Sequence, residues 1–441
     1  MLGTLSWQQV RGGLCVVVVG IVGACSQEAA DLSDAGIGAG ENTPEASVPQ
    51  IPDAAIIHKK ALVIDAHADI EIPGKYSRYV GDDGLSQVAP DKMQAGGVDA
   101  VVMTIAVGPG PRDEAGYEEA RLRADEELAA ALALAADPAN NTVIATDADA
   151  VLAAQAEGQS ALILGLQNAR ILGREVSALE EFYAAGVRVF ALTHMGHNDF
   201  ADSSRPVFIG ETGSYEVNEE HGGLSDLGRA AIARINELGG VIDVSQLSKA
   251  ATLEVLSLST APVIASHSNV QALSNVRRNL SDEEILAIAA GGGTIHISAF
   301  RGYLFDSNDA KLDADIRAAR RVAGIAEDYD YPFELYWEID DSQIQQTYLS
   351  TVSDLLGPGR IEDMIAHIDY VVNLVGIEHV GIGNDFNHGS GIAGYNDASE
   401  AQNVTEALLQ AGYSEDDIYQ LWGQNFLRVM RAAQDGKAPS V

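Results

Sequence analysis

Eight short runs rich in Val and Ile, each ending in polar residues and separated by amphipathic stretches, constrain this chain more than any other feature. They read "ALVIDAHAD", "VDAVVMTIAV", "SALILGLQN", "VRVFALTH", "GGVIDVSQ", "APVIASHS", "GGTIHISAF" and "EHVGIGNDF". Short apolar runs bounded by helical patterns read as strands, and eight of them in alternation predict an α/β fold of the (β/α)8 TIM barrel type. The intervening helices include Leu227–Leu238, Asp282–Ala290 behind a Ser281/Glu284 capping box, and Glu400–Ala411. A doubly wound open sheet is the competing architecture. No Gly-rich phosphate loop follows any of the runs, which weighs against it.

Composition fits one large domain. The chain has 441 residues, 46% apolar and 21% charged, so a sizeable core is available. Sixty-four acidic against 27 basic residues give a net charge of −37, which repels phosphate backbones and excludes nucleic acid as a partner.

The N-terminal segment has a different character. Arg11 precedes "LCVVVVGIVGAC", long enough for a secretory signal core and short for a membrane span. The ending "VGAC" resembles a bacterial lipobox, which makes residues 1–25 a lipoprotein signal peptide and Cys25 the lipid-modified new N-terminus. Cys15 lies in the part to be removed, so the mature chain has no disulfide. Ser26 fits release to the outer membrane, and the expected location is the cell envelope, anchored at the periplasmic face of that membrane. Residues 26–55, rich in Ala, Gly, Ser, Pro and acids, read as a flexible tether, and 56–441 as the catalytic domain.

In a barrel, chemistry collects where strands end at the C-terminal face. The polar residues there are His67 and Asp69, Gln167 and Asn168, His194, Gln246, His267 and Asp385. Such groups are costly to bury unless they pair or bind something. His67 and Asp69 stand two apart on one strand, so both project to one face, and imidazole with carboxylate is a partial zinc set. With His267 and Asp385 from later strands, they would suit one divalent ion with an open position for water. Asp385 is then the proton acceptor.

From about Ala61 to Met430 the chain resembles the membrane (renal) dipeptidase family of zinc peptidases. The resemblance rests on "VIDAHAD", "ALTHMGHNDFADSS", "HGGLSDLGRAAIARINELGGVIDVSQLS", "APVIASHSNVQALSNVRRNLSD", "HVGIGNDF" and "WGQNFLRV". It implies a (β/α)8 barrel, a two-zinc centre, hydrolysis of dipeptides including some with a D-residue in second position, and a homodimer. Residue by residue, it makes His67, Asp69 and Asp385 first-zinc ligands and His267 a second-zinc ligand. His194 becomes the group that polarises the scissile carbonyl, and Arg278 the group that holds the substrate carboxylate.

Two positions depart from that pattern. Gln167 stands where the family has a bridging glutamate, and Gln246 where it has the second-zinc histidine. Both losses fall on the second metal, and a neutral amide oxygen is a weaker zinc ligand than carboxylate or imidazole. One zinc ion rather than two is therefore expected, with one glutamine donating to the other where a metal would sit. His197, His296, His221 and His388 lie outside the family pattern, and the ordinary reading of each is a loop or core histidine. The long stretch from Arg301 to about Ala366 is a lid, a subunit contact or helical decoration.

The expected activity is that of a metal-dependent dipeptidase with an altered or single-metal centre. Two other readings compete: a one-metal amidohydrolase acting on another amide, and a non-catalytic pseudoenzyme that binds small peptides through Arg278 and His194.

Overall fold

The computed structural model describes residues 53–81, 83–209, 212–325, 339 and 341–436. The expected signal segment, Cys25, nearly all of the tether and the aromatic stretch at 326–338 lie outside the described residues. The first helix, Ala54–Lys60, begins slightly before the expected domain start, because the Asp53 carboxylate caps it by accepting from the Ala55 N–H.

Each of the eight runs contributes a strand. They are β1 Ile64–Asp69, β2 Ala100–Ala106, β3 Ser160–Gln167, β4 Val187–Ala191, β5 Val241–Asp243, β6 Ile264–Ala265, β7 Thr294–Ile297 and β8 Val380–Ile382. All neighbours pair in parallel and in sequence order, with an accessory strand, Thr142–Ile144, beside β3. The ring closes where Ala68 bridges Phe386, with Asp69 N–H donating to Phe386 O and Asp385 N–H to His67 O. The runs are apolar throughout because both faces are covered. Ile64, Ala66, Val102, Ile163, Val189 and Val241 cluster with Phe426 and Met430 of the final helix, Asn425–Asp435. Arg428 of that helix donates to Glu378 O ahead of β8, 2.7 Å, so the helix covers the N-terminal end of the barrel.

Several strands are shorter than the runs that predicted them. β6 is only Ile264–Ala265, since Ser266 and His267 leave the ladder to bond through their side chains. At Gly383 a Cβ would stand 1.9 Å from Ser266 O, so only glycine lets β8 approach the end of β6 this closely. The predicted helices appear at Asp226–Leu238, Asp282–Ala290 and Ala401–Ala411. Glu400, the expected start of the last, ends a short turn of 3₁₀-helix, Ala398–Glu400. Within 301–366 the described residues include the helices Ala310–Val322 and Ser342–Leu356. No helix among the described residues is long and apolar enough to cross a membrane.

Candidate active site

His67 and Asp69 reach the C-terminal face at the end of β1, His67 within a register shift between Asp65 and Ala68 and Asp69 just past it. Such irregularities re-aim side chains beside functional sites. Asp65 ties this strand end to the eighth: its Oδ1 accepts from Asn384 N–H at 2.8 Å and its Oδ2 from Asn384 Nδ2 at 2.9 Å. Burial pushes the Asp65 carboxyl up to about 6. Asp385 follows with φ of 65°, a left-handed conformation that a non-glycine residue adopts only when its surroundings enforce it.

The result is a convergence of unsatisfied atoms. His67 Nε2 lies 3.5 Å from Asp69 Oδ1 and 4.0 Å from Asp385 Oδ1. His67 Nε2, Asp69 Oδ1 and Asp385 Oδ2 are all buried without a hydrogen-bond partner. Ligand atoms of the three residues lie within 4.8 Å of one another. An imidazole and two carboxylates left bare in this way fit a divalent cation, which would repay the cost of burying them. Burial alone would lower His67, but the neighbouring Asp69 and Asp385 carboxylates outweigh it and raise the imidazole. Burial also raises Asp385, partly offset by His388 and His67.

Around this centre the second position is built differently. The His267 ring stacks on His67 with centroids 3.8 Å apart. Its Nδ1 meets Ser266 Oγ at 2.7 Å, and Ser266 Oγ donates to Asp243 Oδ2 at 2.5 Å. With Nδ1 so engaged, Nε2 carries the lone pair. That lone pair faces Gln246 Nε2 at 3.1 Å and Gln167 Nε2 at 3.4 Å. Burial holds His267 well below its ordinary value, so the ring is neutral and able to accept. The expected bond from one glutamine to the other is not what forms: both amides turn to the imidazole between them, the one strong acceptor within reach. Residues 67, 243 and 267 also bring ligand atoms together. Asp243 is already satisfied there, since its Oδ1 accepts from the Ser245 and Ser266 N–H groups, both at 2.9 Å. As they stand, Asp243 and His267 are engaged with neighbouring protein groups.

Gln246 is held firmly. Its φ is 65°, and its carbonyl accepts from Ser204 N–H at 2.9 Å and from the Ser203 and Ser204 hydroxyls. The Gln246 Oε1 is buried and unpartnered. Arg278, 2% exposed, reaches back from the loop after β6 to donate to His267 O and lies over the Tyr303 ring, 4.4 Å from its centroid. Its Nε and Nη2 are buried with no partner, one edge of the guanidinium fork left open to an anion. His194 is buried in the loop after β4, its Nδ1 unpartnered, and burial lowers it well below the ordinary range.

The remaining histidines separate clearly. His197 is consumed by its loop, accepting from Ser203 N–H at 3.0 Å and bonding Val217 O at 2.7 Å. His221 bonds Asn198 O, and His296 faces Ala265 O and the Phe426 ring inside the barrel. Asn168 is a loop staple that donates to Val107 O and Gly108 O. His388 is the exception to the ordinary reading. Its Nδ1 lies 2.8 Å from Asp69 Oδ2, and its ring stacks on Tyr79 and meets His194 edge-on at 4.9 Å. Sequence reasoning also missed Asp243, whose only signal was an acid in the middle of the apolar run "VIDVS".

Comparison with known proteins shows the family. The family model described as membrane dipeptidase (peptidase family M19) matches residues 52–440. A crystal structure of the probable dipeptidase PvdM from Pseudomonas aeruginosa superposes with a TM-score of 0.78 at 33% identity, covering 88% of this chain and 98% of that one. A metallo peptidase from Rhodobacter sphaeroides, liganded with a phosphinate mimic of L-Ala-D-Ala, shares the fold at 20% identity and a TM-score of 0.65, over 85% of this chain and 99% of that one. Among curated proteins, dipeptidase aclJ of Aspergillus oryzae is 30% identical over 274 residues, 62% of this chain and 51% of the relative. Dipeptidase tcpJ of Claviceps purpurea is 28% identical over 293 residues, 66% of this chain and 55% of the relative. The chain thus spans about half the length of the curated relatives it matches.

Proposed function

The chain belongs to the membrane dipeptidase family, and from that premise we propose that it is a metal-dependent dipeptidase working with one zinc ion held by His67, Asp69 and Asp385. The observation that carries this reading is the convergence of three buried, unpartnered ligand atoms at the ends of β1 and β8. Zinc held by these residues would supply Lewis acidity and a water that ionises near neutral pH.

The protein's own groups do the rest. Arg278 presents Nε–H and Nη2–H to the C-terminal carboxylate of the dipeptide, an orientation fixed by its bond to His267 O and its seat on Tyr303. Asp385, its carboxyl raised by burial, takes the proton of the attacking water and returns it to the leaving amine. His194, neutral because it is buried, donates a hydrogen bond to the carbonyl oxygen as negative charge builds there. His388 fixes Asp69 by engaging its Oδ2, which leaves Oδ1 for the cation. Gln167 and Gln246 occupy His267 and so replace a second ion.

For the whole protein we propose that residues 1–25 are removed, that Cys25 carries a lipid anchor at the periplasmic face of the outer membrane, and that the barrel forms a homodimer. Divalent metal per chain, measured on protein expressed from Ser26 onward without chelators, together with hydrolysis of a dipeptide panel, tests the central reading. One ion with turnover supports it. Two ions overturn the single-metal centre, and no ion after incubation with zinc overturns the hydrolase.

A further inference from the structure

A chamber of about 930 Å³ opens beside Asp69 and His388. Its walls are the loop after β1, including Tyr76 and Tyr79, the strap Gly108–Pro111, and the helix Glu114–Ala136. None of Arg278, His267 or Gln246 lines it. Of the proposed metal ligands only Asp69 lines it, with His388 beside it, so the chamber adjoins the centre at the Asp69 edge, away from Arg278, and offers space for the acyl half of the substrate. Volumes of about 300–1,000 Å³ hold whole drug-sized molecules, so the N-terminal residue of a dipeptide would fill only a small part of it.

Charge points the same way. A free N-terminal ammonium loses hydration on entering such a site and needs a carboxylate in return. Three of the chamber's five carboxylates are already engaged by basic groups: Glu127 by Arg123 Nε at 2.6 Å, Glu119 by Arg170, and Asp69 by His388. The other two accept from neutral donors, Glu71 from the Ser77 hydroxyl and Asp113 from the Gly116 N–H that it caps. Gln167, where the family carries a glutamate, is neutral and turned toward His267. An acylated nitrogen brings no charge into this space and fills more of it.

We propose that the centre also hydrolyses N-acylated dipeptides, cutting the amide that leads to the C-terminal amino acid while the acyl cap lies in the chamber. Water adds across that amide: the carbonyl carbon gains the hydroxyl and leaves as a carboxylate, and the nitrogen gains protons and leaves as the free amino acid. The inference rests on the dipeptidase reading and extends it to a blocked substrate class.

The test compares Ala-Ala with N-acetyl- and N-hexanoyl-Ala-Ala on the zinc-incubated protein, following release of the C-terminal alanine. The expected result is that kcat/KM for the capped peptides stays within tenfold of the free dipeptide or exceeds it. A loss of more than tenfold on capping, with Ala-Ala still cleaved, overturns this inference and leaves the dipeptidase reading intact. Cleavage of none of the three overturns the dipeptidase reading and this inference with it. Gly108→Phe locates the cap, because a Cβ at Gly108 meets nothing within 4 Å and its side chain enters open space. The ratio of hexanoylated to free turnover should fall at least tenfold in that variant, and an unchanged ratio would place the cap elsewhere and overturn the assignment.

Discussion

Gln246 Nε2 lies 3.1 Å from His267 Nε2, so the lone pair that would bind a second metal ion is spent on an amide hydrogen bond. Reversing that arrangement should restore the second position. Gln167→Glu and Gln246→His together are expected to raise bound zinc from one ion per chain to two, read by elemental analysis after gel filtration. The single variant Gln246→His should leave the count at one, because the bridging charge is still missing.

His388 engages Asp69 through Oδ2, which leaves the Oδ1 that lies 3.5 Å from His67 Nε2 open. Outer partners of this kind are worth about 10–100-fold in metal affinity. His388→Ala should weaken zinc binding by about that factor in a chelator competition, and His388→Asn, which keeps a donor, should recover part of it. Equal affinity in all three proteins would remove His388 from the metal's support.

Arg278 has two buried donors on its open edge and is the candidate grip for the substrate carboxylate. Losing one side of a buried charge pair costs about 2–5 kcal/mol, roughly thirtyfold or more. Arg278→Lys keeps the charge but loses the planar fork, so its KM for a free dipeptide should rise by at least about thirtyfold. A dipeptide amide, which has no carboxylate, should be cleaved equally by both proteins.

His367 and His296 give the fold an acid limit. Burial pulls both imidazoles down to about 4 from an ordinary 6.5, and the Val270 N–H donates to His367 Nδ1. Both groups are neutral in the folded chain when the unfolded chain already takes up protons. Their contribution is fully present above pH 6.5 and is lost as pH falls through about 4. A fall from 6.5 to 4 corresponds to about 3 kcal/mol for one such group. His367→Asn should flatten the decline of Tm between pH 6.5 and 4 without steepening it elsewhere, as thermal melts across that range would show.

Much of the architecture was legible because it is periodic and local. The eight apolar runs, the capping box at Ser281 and Glu284 and the polar residues at the run ends are all patterns within a few residues of chain. His67 and Asp69 could be paired from a spacing of two on one strand, and the glutamines could be picked out against the family pattern.

What the sequence by itself determined is which groups arrive at the C-terminal face, with Gln167 and Gln246 among them. Tertiary structure decided what those groups do to one another. His388 follows Asp385 closely in a loop and looks ordinary until closure of the barrel brings it to Asp69, 319 residues away in sequence. Asp243 looks like a stray acid until Ser266 and His267 line up on it. The glutamines could have bonded each other, but a neutral imidazole set between two amides is the better acceptor, and only the packing of β3, β5 and β6 puts it there. Hydrogen bonds select by geometry at about 3 Å, and that distance is fixed by how strands separated in sequence come together in the ring.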